Sequence, residues 1–138
     1  MPATPQHHDG ADSVADAIID AVGRRIVLAL PLGLGKPNHI VNALVARAMA
    51  DPALNLTIFT ALTLERPALG SGLERRFLEP AMERLFGAYP PLTYAAALRE
   101  GSLPDNIRVD EFFFLAGRWR GVGRAQQNYI CANYTDAQ

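Results

Sequence analysis

The chain reads as an α/β protein with an open, mostly parallel sheet and flanking helices. Three observations carry that class. Segments with helical and strand periodicity alternate along the whole length, no internal repeat or low-complexity block interrupts them, and residues 24–50 read as a buried strand running through a glycine turn into a helix. A strand-turn-helix junction of that kind is where α/β proteins bind anions.

The elements follow in order. Residues 1–11 are polar and read as a disordered tail, leaving 12–138 as one domain. Asp12 to Val22 is expected to be helical, with Val14, Ile18 and Val22 on one face and Gly23 as its stop. Ile26 to Leu30 is a nearly continuous apolar run, the mark of a strand covered on both faces. The next helix spans Asn38 to Ala50, preceded by Pro37 at a favoured first position. Its apolar face comprises Val41, Leu44, Val45, Ala48 and Met49, and Asp51-Pro52 ends it. Leu56 to Leu62 makes the second strand. It completes a βαβ unit, for which parallel strands and a right-handed crossover are expected. Gly72 to Phe86 reads as helical, with Leu73, Phe77 and Leu85 inward and Pro80 set to kink or split it. A short helix at Tyr94 to Arg99 precedes Gly101, and residues 107–114 form a third strand expected to run into the core.

Within the turn, Gly33 and Gly35 permit positive φ and close approach of a ligand to the backbone. Two familiar motifs fail here. A phosphate-binding P-loop needs four residues between its glycines and a Ser or Thr after the lysine, whereas one residue separates these glycines and Pro37 follows Lys36. A dinucleotide fingerprint would have a third glycine where Asn38 stands. The same residues also suit a tight turn that serves chain geometry alone, with Lys36 as a solvated charge.

Composition narrows the function classes. With 138 residues and 49% hydrophobic content, the chain has material for one core. Net charge is −1 and the basic residues are scattered, which disfavours a nucleic-acid partner. No apolar run approaches the roughly 20 residues of a membrane span, and the polar N-terminus does not read as a signal peptide, so a cytoplasmic location is expected. The single cysteine, Cys131, excludes an internal disulfide and reads as a packed thiol among Tyr129, Ile130 and Ala132.

Other candidates are weaker. His7 and His8 lie in the tail without an acidic or cysteine cluster, so no metal site is expected. His39, in the first helical turn, either faces a ligand's phosphate or carboxylate or is an ordinary surface histidine. Glu111 is a tempting nucleophile, though strand-edge carboxylates are more often solvated or paired. Glu65-Arg66 reads as a local ion pair or loop contact rather than an acid/base dyad. No Gly-x-Ser-x-Gly elbow is present. Arg118, Trp119 and Arg120, bordered by Gly117, Gly121 and Gly123, read as a mobile loop that either covers a cleft or simply connects.

Several segments, taken in order, resemble the acetyl-CoA hydrolase/transferase family of coenzyme A transferases, including the 4-hydroxybutyrate CoA-transferases. They are residues 32–37 with Asn42-Ala43-Leu44, then residues 60–67, Phe77-Leu78-Glu79-Pro80, Tyr94, Leu103-Pro104, Glu111-Phe112-Phe113, and Gln126-Gln127-Asn128-Tyr129 to Asn133-Tyr134-Thr135. The resemblance implies the α/β architecture shared by CoA transferases and ribose-5-phosphate isomerase, with two such domains per chain and this one the first or part of it. It implies acyl-CoA and a small carboxylate as substrates, coenzyme A as substrate rather than cofactor, and a homo-oligomer. It also implies attack on the thioester by a glutamate, through an anhydride to a glutamyl-CoA thioester. In the family that glutamate lies in the second domain, in a glycine-bordered motif with no counterpart in these 138 residues, so no catalytic residue is assigned here.

The substrate-binding residues assigned are Gly33, Leu34, Gly35, Lys36 and Asn38. Three readings are then open: the N-terminal part of an acyl-CoA hydrolase or CoA-transferase, a stand-alone anion- or CoA-binding module without catalysis, and a structural or dimerisation domain with an inert glycine turn.

Overall fold

A computed structural model describes residues 5–113, 115–133, 135 and 136. The chain forms helix α1 (Ala11–Val22), strand β1 (Arg25–Leu30), a 3-10 turn (Gly33–Gly35), α2 (Asn38–Ala50), β2 (Asn55–Ala61), α3 (Leu73–Phe86), α4 (Thr93–Glu100), β3 (Ile107–Phe113) and the short α5 (Gly123–Gln127). The three strands make one open sheet, ordered β1-β2-β3, and both pairings are parallel. The α/β class and parallel sheet therefore stand. Phe114, placed by sequence in the third strand, and Tyr134, one of the resemblance residues, lie outside the described residues.

The core forms on one face of the sheet. Ile26, Leu30, Leu56, Ile58, Ile107 and Val109 point into it and meet Val41, Leu44, Val45 and Ala48 of α2, Ala15 of α1, and Ala95 and Leu98 of α4. The register explains this layering, since Leu56 lies beside both Ile26 and Ile107, and Ile58 beside both Leu28 and Val109. Asn106 ties the sheet to the helix layer by donating from Nδ2 to the carbonyls of Ala48 (2.7 Å) and Leu54 (2.8 Å). Across α1 and α2, Arg47 pairs with Asp12 and Asp16.

The opposite face differs from the sequence expectation. β1 is an edge strand covered on one side only: Arg25, Val27 and Ala29 are exposed, Val27 at 74%. An apolar run cannot by itself report how many layers cover it, because alternate residues carry the same hydrophobic signal whether or not a second layer exists. Among the described residues, the β3 side of this face is filled by the stacked rings of Phe59 and Phe112 (centroids 5.1 Å apart) and the Arg108–Asp110 pair.

Further corrections concern helices. α3 is continuous through Pro80, and it presents Leu73, Phe77 and Leu85 outward, Phe77 at 81% exposed. The residues with reduced exposure are Leu78, Met82 and Phe86, a second stripe at four-residue spacing. Met49, assigned to the inner face of α2, is likewise exposed. α2 begins at Asn38, with Pro37 in the flanking position, and α1 begins one residue into the presumed tail.

Candidate functional site at the carboxyl end of the sheet

The glycine turn lies where the sequence places it, between the end of β1 and the start of α2. Gly33 has φ of +74°, the left-handed conformation that glycine adopts at little cost. Gly35 does not. A Cβ built on Gly35 would meet nothing within 4 Å, so its use is open space beside the exposed backbone rather than backbone geometry.

Lys36 is not a solvated charge and is not free for a ligand. It is only 5% exposed, and its ammonium donates to the carbonyl of Pro31 (2.6 Å), to Thr60 Oγ1 (2.8 Å) and to the carbonyl of Ala61 (2.9 Å). All three hydrogens are thus used inside the protein, tying the turn to the ends of β1 and β2. Burial pulls its pKa down to about 8, opposed by the Glu111 carboxylate.

Glu111 is 3% exposed. Oε1 accepts the backbone N–H of Thr63 (2.7 Å) and Oε2 accepts the indole N–H of Trp119 (2.6 Å). A carboxylate with both oxygens committed to fixed donors is a structural anchor, not an exposed nucleophile. Thr63 is itself buried and its hydroxyl lies 3.1 Å from the Tyr94 hydroxyl, whose pKa burial raises. Local backbone irregularity accompanies this cluster. The β2-β3 register shifts between Thr60 and Ala61, Leu62 adopts φ of +44°, and its N–H reaches the Phe113 carbonyl (2.6 Å). Such bulges re-aim side chains at the end of a strand.

Trp119 overturns the mobile-loop expectation. It is fully buried, with the Arg99 and Arg118 guanidinium carbons 4.4 and 5.4 Å from its ring centroid. Both arginines pair with Glu65, while Arg66 pairs with Glu83, so Glu65-Arg66 is not a local ion pair. Cys131 is exposed rather than packed. Near it, the Ile130 N–H donates to the Glu111 carbonyl (3.2 Å), and Tyr129 forms an isolated parallel bridge with Glu111 on the free edge of β3.

A second wall of the site was not legible in the sequence. Asn38 and Asn42, one turn apart on α2, donate from Nδ2 to the carbonyls of Pro90 (2.7 Å) and Pro91 (2.8 Å). Asn42 Oδ1 also accepts from the backbone and hydroxyl of Thr93. These bonds hold the 88–91 segment against the glycine turn and border an open cleft of about 330 Å³, lined by Leu34, Lys36, His39, Ile40 and Tyr89 among others. The available signal was the adjacent Pro90 and Pro91, which carry acceptors without backbone donors, set against two asparagines at helical spacing.

The structure thus brings Leu34, Lys36, Asn38 and His39 to one cavity at the carboxyl end of the sheet, with Gly33 and Gly35 in the preceding turn. Among the described residues no group of three or more His, Cys, Asp or Glu is arranged to hold a metal ion, and no helix is long and apolar enough to cross a membrane. No family model, curated protein or solved structure matches the chain.

Proposed function

We propose that this chain is the N-terminal, ligand-holding part of an acyl-CoA hydrolase or CoA-transferase, with the attacking glutamate supplied from outside these 138 residues. One observation carries the reading. The segments in which the resemblance resides are far apart in sequence, yet four of them meet at the carboxyl end of the sheet: Lys36 bonds Thr60 and Ala61, Thr63 bonds Glu111, and Thr63 contacts Tyr94. That end of an open parallel sheet is the general place for a ligand.

In this reading the turn from Gly33 to Lys36 presents backbone N–H groups to a carboxylate or to a phosphate of coenzyme A, the Asn38 N–H being already donated to the Lys36 carbonyl. Lys36 keeps the turn in place through its buried bonds and does not touch the ligand. Glu111 holds Thr63 and Trp119 and takes no part in acyl transfer. The second reading, a stand-alone anion- or CoA-binding module without catalysis, is favoured by the same occupied Glu111.

The test is incubation of the chain with acetyl-CoA, following both equilibrium binding and thiol release. Saturable binding without release is expected. Absence of binding would overturn the reading, and so would thioester cleavage that Glu111→Gln abolishes, since that would put the nucleophile inside this chain.

A further inference from the structure

We propose that the free edge of β1, together with the outer flank of α1, pairs with the same surface of a second copy of this chain, joining the two three-stranded sheets edge to edge. The inference is independent of the ligand-holding reading above.

The backbone of β1 carries the first part of the argument. The Arg24 carbonyl accepts the Asn55 N–H (2.8 Å) from β2. In a parallel ladder the N–H and C=O of successive residues face opposite sides, so Ile26, Leu28 and Leu30 also face β2 while Arg25, Val27 and Ala29 face outward. Among the described residues none of these outward groups has a backbone partner. Open edges invite pairing unless proline, lysine or a bulge blunts them. From Arg25 to Leu30 there is none of these, and the register with β2 is unbroken. The other margin of the sheet is guarded, because Tyr129 bridges Glu111 and the Ile130 N–H reaches the Glu111 carbonyl.

Self-pairing has one register that uses every outward group. With the strands antiparallel and Val27 opposite Val27, Arg25 lies opposite Ala29 of the second copy, and no like charges face each other. Sliding two residues one way sets Arg25 against Pro31, which has no N–H to give. Sliding the other way sets Ala29 against Gly23, beyond the strand. The helix layer fits the same contact. α1 packs on α2 and β1, whereas α2 packs on β2, β3 and α4, so α1 is the outer helix on the β1 side. Asp12 and Asp16 turn toward Arg47 of α2, which leaves Val14, Ala17 and Ala21 on the far flank at helical spacing, Ala21 exposed. Two α1 helices brought over adjoining β1 strands must approach closely, and alanines permit it. One six-residue edge and one helix flank form a small interface, at or below about 1,200 Å² in total, so the dimer is reversible.

Val27→Cys in a Cys131→Ser background tests the register. Residues facing each other as a hydrogen-bonded antiparallel pair have Cα atoms about 5.5 Å apart, within disulfide reach. Mild oxidation is expected to give a covalent dimer at least tenfold faster than Leu73→Cys, a similarly exposed position, in the same background. Sedimentation should show a wild-type dimer that dissociates on dilution. Ala29→Pro removes an outward N–H that has no partner in the single chain, and Ala17→Arg places a long charge on the α1 flank. Each should weaken association at least tenfold with Tm unchanged at concentrations where the chain is monomeric. Should Ala29→Pro fail to fold, Ala17→Arg and the cross-link still decide. A monomer at every concentration, cross-linking of Val27→Cys no faster than that of Leu73→Cys, or unchanged association in the folded variants would each overturn the inference.

Discussion

Glu111 and Lys36 are the two buried charges nearest the candidate site, and each holds backbone in place. Glu111 joins Thr63, 48 residues away, to Trp119, 8 residues away. Replacing it by Gln turns one acceptor oxygen into an amide that must face an existing donor. Glu111→Gln should therefore cost about 1–3 kcal/mol, read by urea denaturation, with a red-shift of Trp119 emission as water reaches the indole. For Lys36 the sign follows from a folded-state pKa near 8 against an ordinary value of 10.5. Between those values the unfolded chain binds the proton and the folded chain does not, so stability rises with pH across that window. Wild-type stability should accordingly rise relative to Lys36→Met from about pH 8 to 10.5, and a flat difference would refute the shift. In sequence these two residues were visible as candidates but not in their roles. Their partners sit on other strands, and no local pattern encodes which distant donor a carboxylate will meet.

At the scale of elements, periodicity located α1 to α4 and the three strands to within a residue or two and missed the short α5, yet it misassigned faces. α3 carries two apolar stripes at four-residue spacing, and Leu78, Met82 and Phe86 turn toward the protein while Leu73, Phe77 and Leu85 turn to solvent. Spacing alone weighs both stripes equally; the choice depends on what the helix lies against. Phe77→Ser should thus change stability by less than about 0.5 kcal/mol. Leu44→Ala, at a site with no exposure in α2, should cost about 2–5 kcal/mol. Thermal or chemical denaturation of the two variants checks both, and comparable losses would mean that α3 packs with its other face inward. The loop after β3 was misjudged for a related reason: glycines flanking Arg118-Trp119-Arg120 suggested mobility, while burial of the indole against Glu111 and two guanidinium groups fixes it.

The whole molecule is a sheet with α1, α2 and α4 packed on one face and, at β1, an exposed strip on the other. Parallel sheets as a rule are covered on both faces. Val27 and the exposed Phe113 and Leu115 are therefore expected to drive association. Light scattering over a range of concentrations should show mass rising with concentration, and Val27→Lys should reduce it; a dilution-independent monomer would contradict that expectation. The α/β class and the glycine turn could be read from sequence because strand, turn and helix are contiguous there. The cavity could not, since it needs residues 34–40 and 88–90 together. Calorimetric titration of coenzyme A into wild type and Gly35→Val tests the ligand-holding turn most directly. A side chain at Gly35 has open space in the free protein, so the variant should fold normally and Tm should be unchanged. Binding at least tenfold weaker, a loss of about 1.4 kcal/mol, is expected if a ligand approaches that backbone. Equal affinity in the two proteins would remove the turn from the site.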